Sequence, residues 1–187
     1  EPVTTYTIIN ALSSYIRTLI SLNSRFDKYM RGDESKLSAS EKNGFNLFAG
    51  KAKCATCHFI PLFNGLLPPV FNDTESEVLG VPSDNSKRNA FLDKDSGRYG
   101  FTKSRIHKYA FKTPTLRNIE LTAPYMHNGV YTTLEEVMEF YNNGGGKGLK
   151  IAPPNQTLPF DKLNLSAKEV SDIVAFMRTL TDTTTLQ

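Results

Sequence analysis

The most informative stretch of this chain is Cys54-Ala55-Thr56-Cys57-His58. Its spacing, C-x-x-C-H, is the attachment signature of a c-type haem. Two cysteines three positions apart can form thioethers to the two vinyl groups on one edge of a porphyrin, and the adjacent histidine can bind the iron. The motif therefore predicts one covalent haem c, attached through Cys54 and Cys57 and ligated by His58 on its proximal side.

Other uses of a C-x-x-C pair fit this chain less well. A zinc site needs two further ligands, but the chain has no other cysteine, and its only other histidines are His107 and His127. A thioredoxin-like motif needs a βαβ context, which the surrounding sequence lacks. A plain disulfide is possible but would leave the adjacent His58 without a role.

Composition limits the class of protein. At 187 residues with 39% hydrophobic content, the chain fits one soluble domain with extensions. The net charge of +3 is too small to favour nucleic acid as a partner, and the apolar stretches are too short for a membrane span. Because c-type haem is normally attached outside the cytoplasmic membrane, we expect a periplasmic protein, with a removed leader or a missing amino-terminal portion.

Periodicity and capping signals predict a mainly α, cytochrome c-like helical domain with long haem-wrapping loops. Apolar residues repeat helically over 6–20, and 23–33 reads as a linker. Capping boxes begin at Ser38 and Ser166, and Thr132 or Thr133 can cap a helix that ends near Tyr141. Gly50 suits a left-handed stop for the helix after Ser38. Residues 59–105 are rich in Pro, Gly, Asn, Asp and Ser, which indicates loops around the haem.

A longer stretch carries a family resemblance. Residues 111–129 read Phe-Lys-Thr-Pro-Thr-Leu-Arg-Asn-Ile-Glu-Leu-Thr-Ala-Pro-Tyr-Met-His-Asn-Gly. They resemble the carboxy-terminal domain of bacterial di-haem cytochrome c peroxidases and the related MauG-type enzymes. Residues 23–32 and 134–145 share this likeness in the family's order and spacing.

The resemblance implies a role for the whole chain. Family members have an amino-terminal haem that reacts with peroxide and a carboxy-terminal haem that accepts electrons. Since only one C-x-x-C-H is present, residues 1–30 are expected to be a helix and linker from a preceding haem domain, and 31–187 the cytochrome c-like haem domain. This chain alone would then lack the peroxide-reactive haem.

The expected function is electron transfer within an oxidoreductase that reduces hydrogen peroxide. The implied partners are a donor cytochrome or cupredoxin, the amino-terminal haem domain and a second copy in a homodimer. Three alternatives remain open: a free-standing mono-haem electron carrier, a haem-based sensor, and half of a MauG-type oxidase with a His/Tyr-ligated haem.

The resemblance also implies a distal ligand to the iron. Classical peroxidases use a methionine, and MauG-type proteins place a tyrosine at the position that matches Tyr141, which is our first choice. Met138, three residues earlier, and Met126, within Pro124-Tyr125-Met126-His127, are the alternatives. Methionine favours ferrous iron, whereas an anionic phenolate stabilises higher oxidation states.

Further residues receive roles by the same resemblance. His127 matches a histidine near the peroxide-reactive haem, and Thr122 and Pro124 match carbonyl ligands of an interdomain calcium. Arg117 is expected to hold a haem propionate through charge-assisted hydrogen bonds. The family's histidine just before Gly80-Val81-Pro82 is missing here, so no role of that histidine is carried over.

Overall fold

The computed structural model describes residues 2–158 and 161–184. Helices dominate this part of the chain, and regular β-structure is confined to one short antiparallel ladder. The α-helices are α1 (Thr5–Ile16), α2 (Arg25–Met30), α3 (Ala39–Ala49), α4 (Tyr99–Thr102), α5 (Leu134–Asn142) and α6 (Ala167–Arg178). The 3₁₀ turns are Glu34–Lys36, Cys54–Thr56, Arg105–His107, Ile119–Leu121 and Gly145–Lys147, and the strands are β1 (Ser76–Glu77) and β2 (Phe111–Lys112). The mainly α prediction is confirmed.

The predicted capping signals start the helices around the haem motif. Ser38, Thr133 and Ser166 each accept a hydrogen bond from the backbone of a glutamate three residues later, and each glutamate reaches back to the cap. These reciprocal bonds satisfy donors that would otherwise be free. The left-handed stop predicted at Gly50 is wrong, because its φ is −104°. The left-handed residue is instead Lys53, at φ 57°, directly before the haem motif.

Residues 23–33 are not simply a linker, because they contain α2. Ser24 caps this helix, and Asp27 accepts hydrogen bonds from both the N–H and the hydroxyl of Ser24. Phe26 is 2% exposed and belongs to the same core as α3 and α6. A six-residue helix with one inward apolar side chain is too short to give a periodic signal. The domain boundary at residue 30 stays a prediction.

Helices α3 and α6 pack against each other and hold the haem motif. The contact is close because Gly44 lacks a side chain: a Cβ there would lie 1.9 Å from the carbonyl oxygen of Asp172. The Asp172 carboxylate, itself buried on α6, accepts hydrogen bonds from Ser40 and Asn43 on α3. The cysteine turn follows directly after α3, so this crossing anchors it.

An aromatic cluster fills the space between these helices. Adjacent rings have centroids 5.1–5.9 Å apart, mostly in tilted or edge-to-face geometry. Each such pair contributes about 0.5–1.5 kcal/mol beyond its burial. The cluster consists of Phe26, Phe45, Phe48, Phe63 and Phe176.

Helix α1 is different, because none of its residues is buried. Its apolar side chains, among them Ile8, Leu12 and Tyr15, are 48–63% exposed. Among the described helices, none is both long and apolar enough to cross a membrane.

Candidate haem site

The cysteine pair lies on a single 3₁₀ turn. The N–H groups of Cys57 and His58 both donate to the carbonyl of Cys54, at 3.3 and 2.9 Å, which brings the three side chains of the motif together. Both cysteines are free thiols. Burial raises the pKa of Cys54 to about 12 and also raises the pKa of Cys57. Neither sulfur therefore resembles the low-pKa thiolate of a redox dithiol.

The imidazole of His58 is held in one tautomer. Its Nδ1 lies 3.1 Å from the carbonyl oxygen of Phe63, so Nδ1 carries the hydrogen and Nε2 carries the lone pair. Burial lowers the pKa of His58 although the carbonyls of Phe63 and Pro114 oppose this effect. A neutral imidazole with a carbonyl on its far nitrogen is the usual form of a metal-binding histidine.

Tyr141 on α5 faces the cysteine pair. Burial raises the pKa of its phenol, and the nearby sulfurs of Cys54 and Cys57 and the carboxylate of Glu77 raise it further. Within residues 2–158 and 161–184, its hydroxyl has no hydrogen-bond partner. Met138 is 3% exposed in the core, and Met126 packs at the edge of the same cluster. Tyr141 is thus the candidate distal ligand whose polar atom is left without another role.

Two carboxylates that sequence reasoning missed lie beside this turn. Ligand atoms of Cys57, Glu75 and Glu77 all lie within 4.8 Å of one another. Burial raises the pKa of Glu75, and the neighbouring charge of Glu77 adds to the effect. The signal available in the sequence was their i, i+2 spacing, which puts both side chains on one face of an extended segment.

Arg117 is buried but largely occupied by the protein itself. Its side chain is 6% exposed, and its two terminal nitrogens bind both oxygens of Asp27 at 2.7 and 2.8 Å. The same nitrogens donate to the carbonyls of Ser21 and Pro61. Only the buried Nε–H has no partner among the described residues. The hydrogen bond from Arg117 to a haem propionate stays a prediction, and only the Nε–H group is left to donate it.

His127 belongs to a second cluster. Its ring stacks on Phe111 with centroids 3.7 Å apart and planes 10° apart. Its Nε2 lies 3.3 Å from Asp93, whose other oxygen accepts a hydrogen bond from Asn128. Asp93 was not predicted, and a lone acid in a polar loop offers no sequence signal. Because Phe111 pairs with Glu77 in the β-ladder, this cluster adjoins the carboxylates beside Cys57.

The predicted calcium residues are exposed. The chain at Thr122 and Pro124 is open to solvent, and neither carbonyl accepts a hydrogen bond from another described residue. Free carbonyl oxygens suit a hard cation such as Ca²⁺. Because exposed carbonyls are equally satisfied by water, the calcium site stays a prediction.

The residues present fit a c-type haem. The test is the donor set: two free sulfurs on one turn, a histidine with its Nε2 lone pair available, and a phenol without a partner among the described residues facing them. A zinc or disulfide role would leave the half-buried phenol of Tyr141, which faces the cysteine pair, without a function.

Comparisons with known proteins agree with this fit. A sequence model of the family described as di-haem cytochrome c peroxidase matches residues 1–35. Cytochrome-c peroxidase IdrP2 of Denitromonas iodatirespirans is 34% identical, over 92% of this chain and 48% of the relative. Methylamine utilization protein MauG of Methylorubrum extorquens is also 34% identical, over 96% of this chain and 45% of the length of MauG. A solved MauG-like protein associated with microbial copper homeostasis gives a TM-score of 0.76 at 31% identity, over 100% of this chain and 56% of that one. Fold and site together define a cytochrome c-like haem domain.

The chain belongs to the di-haem cytochrome c peroxidase and MauG family of oxidoreductases. It spans about half the length of the curated relatives it matches, a coverage consistent with the predicted carboxy-terminal haem domain. Membership of this family implies a c-type haem.

Proposed function

We propose that this chain is the electron-transferring haem domain of a periplasmic di-haem peroxidase, which reduces hydrogen peroxide with electrons from a donor cytochrome or cupredoxin. The observation that carries the proposal is the turn at Cys54–Thr56, which presents two free sulfurs beside a half-buried, neutral His58. When bound, haem c supplies reversible one-electron chemistry at its iron.

In this proposal each residue of the site has one task. Cys54 and Cys57 hold the macrocycle covalently, so that it is retained in both oxidation states. His58 offers Nε2 to the iron, and the Phe63 carbonyl fixes the plane and tautomer of the imidazole. Tyr141, which faces the cysteine pair, would exclude water and peroxide from the bound haem. A haem from which peroxide is excluded would suit electron transfer, and peroxide would react at the haem of the amino-terminal domain.

A second candidate function is favoured by Tyr141 itself. A phenolate ligand stabilises oxidised iron, which suits the His/Tyr-ligated half of a MauG-type oxidase better than a relay of high potential. A classical peroxidase uses a methionine as its distal ligand, and Met126 or Met138 would have to take that role in this chain. The identity of the distal ligand therefore separates the two candidates.

The remaining assignments belong to the same proposal. His127, held by Asp93 and Phe111, would face the peroxide-reactive haem across the domain interface. Thr122 and Pro124 would share a calcium ion with that domain, and two copies would form a homodimer. Activity would then require the preceding haem domain.

The first experiment asks whether the haem is attached. The chain should be expressed in cells competent for cytochrome c maturation and analysed by denaturing mass spectrometry. We expect the mass of one haem on the wild type and none on Cys54→Ala/Cys57→Ala. A wild-type chain of apoprotein mass would refute the proposal.

The second experiment identifies the distal ligand. If Tyr141 ligates, the ferric spectrum lacks the near-infrared methionine–sulfur charge-transfer band, and Tyr141→Phe shifts the iron toward high spin. Met126→Leu and Met138→Leu are the matched controls, because they keep side-chain volume. A spectrum that changes in a methionine variant but not in Tyr141→Phe would favour the classical relay.

The third experiment tests the division of labour. Steady-state turnover of peroxide with a reduced mono-haem cytochrome is measured for this chain and for a two-haem relative. We expect little turnover by the chain alone. Turnover close to that of the relative would mean that the peroxide-reactive haem is the one bound by this domain, and would refute its role as a relay.

A further inference from the structure

The two carboxylates beside Cys57 are electrostatically unusual. Glu75 and Glu77 are half-buried, approach each other, and form no ion pair with any residue in the described part of the chain. Two like charges at such a distance repel each other, since Coulomb energy scales inversely with distance and with the local dielectric constant. An uncompensated acidic pair of this kind is a recurrent feature of functional sites.

The β-ladder explains why no cation neutralises the pair. Ser76 pairs with Lys112, and Glu77 pairs with Phe111. Because side chains alternate along a strand, Ser76 and Lys112 share one face, whereas Glu75 and Glu77 share the other. Arg98 also lies on the first face, where it donates to the Ser76 hydroxyl at 3.0 Å. The cations nearest along the ladder are thus directed away from the carboxylates.

The face that carries the carboxylates is the face that meets the haem site. One carboxylate oxygen of each lies within 4.8 Å of the Cys57 sulfur. In a haem c that sulfur is bonded to the edge of the macrocycle, so charges around it act on the iron through a partly dehydrated medium. The charge of Glu77 also raises the pKa of Tyr141, which lies on α5.

We propose that Glu75 and Glu77 tune the haem: their negative charges lower its reduction potential and favour the ferric state. Adding one electron to ferric iron makes the site more negative, and fixed negative charges nearby disfavour that step. The direction agrees with a phenolate at Tyr141, which also stabilises oxidised iron. This tuning role rests on the haem attachment proposed for Cys54 and Cys57.

The test is a potentiometric titration of the haem-loaded chain. Glu75→Gln and Glu77→Gln remove one charge each while preserving size, and the double variant removes both. We expect each single variant to raise the midpoint potential, the double variant to raise it most, and the ferrous fraction at a fixed poise to rise accordingly. Glu77→Asp, which keeps the charge, should stay nearer the wild type than Glu77→Gln. If the two glutamates had only a structural role, the midpoint potential would not depend on whether a variant keeps or removes the charge.

Asp73→Asn is the matched control, because Asp73 is an exposed carboxylate in the same segment. Its charge is screened by water and salt, so the potential should not move. Potentials of the glutamine variants that equal that of Asp73→Asn would overturn the inference. So would a wild-type potential that changes with a chelator, because the pair would then be holding a cation. Failure of haem attachment would instead refute the proposed function, which mass spectrometry reads independently.

Discussion

Replacing Asp27 by asparagine would leave the Arg117 guanidinium buried without a counter-charge. In the native protein the two side chains are 12% and 6% exposed and are joined by two hydrogen bonds of 2.7 and 2.8 Å. An amide offers only one acceptor oxygen, and its NH₂ would face a second donor. Breaking a buried ion pair by removing one partner costs about 3–5 kcal/mol. For a chain of this size the melting temperature should fall by roughly 6–20 °C.

The assay is urea unfolding of the haem-loaded chain, followed by far-ultraviolet circular dichroism. The control is Glu139→Gln, which breaks the Lys87–Glu139 pair, whose side chains are 50% and 69% exposed. Such a surface pair contributes about 0–1 kcal/mol. A free energy of unfolding for Asp27→Asn that matches this control would refute the structural role given to Arg117.

The same pair predicts a pH dependence. Burial raises the pKa of Asp27, but hydrogen bonds from Arg117 and Ser24 outweigh it, and the net pKa lies below the ordinary 3.8. A carboxyl whose pKa is lowered in the folded state stabilises the protein above its unfolded pKa. That contribution should be lost as the pH falls from about 4 through the lower folded value.

The remaining predictions concern the helix crossing and the haem. Gly44→Ala should cost about 1–3 kcal/mol in thermal unfolding, because its methyl would meet the Asp172 carbonyl, whereas Gly100→Ala, whose nearest neighbour is 4.0 Å away, should cost almost nothing. Hydrogen bonds from Lys168, Ser40 and Asn43 lower the pKa of Asp172 to about 2. Asp172→Asn should therefore unfold in less urea at neutral pH and flatten the loss of stability between about pH 4 and 2; an unchanged pH profile would contradict this. The haem-free Cys54→Ala/Cys57→Ala chain should bind more of a hydrophobic dye than the loaded chain, because the bound haem would cover apolar surface, whereas the exposed side chains of α1 contribute equally to both; equal dye binding would contradict this.

Local features of the fold could be predicted from the sequence. The capping boxes at Ser38 and Ser166 and the cap at Thr133 are patterns within four residues, and each begins the expected helix. The C-x-x-C-H motif is equally local, and its turn brings Cys54, Cys57 and His58 together as the chemistry requires.

The features that could not be predicted depend on distant partners. Asp27 and Arg117 are 90 positions apart, so α2 reads as a linker until its partner is known. Glu75 and Glu77 can be recognised as part of the site only when their distance from the Cys57 sulfur is known, and Asp93 only when its contact with His127 is known. The left-handed stop predicted at Gly50 is wrong because the chain adopts that conformation three positions later, at Lys53.

The contact between α3 and α6 has a consequence for the evolution and engineering of this domain. Ser40 and Asp172, which meet there, are 132 positions apart, so most of the chain forms one long loop closed by two helices. The entropy lost on closing a loop grows only with the logarithm of its length, and doubling the length costs only about 0.6 kcal/mol more. Insertions in the exposed segment 83–89 should therefore lower the free energy of unfolding only slightly, while a single methyl at Gly44 would push α3 and α6 apart. This architecture tolerates variation in loop length but not variation in side-chain volume where the two helices cross.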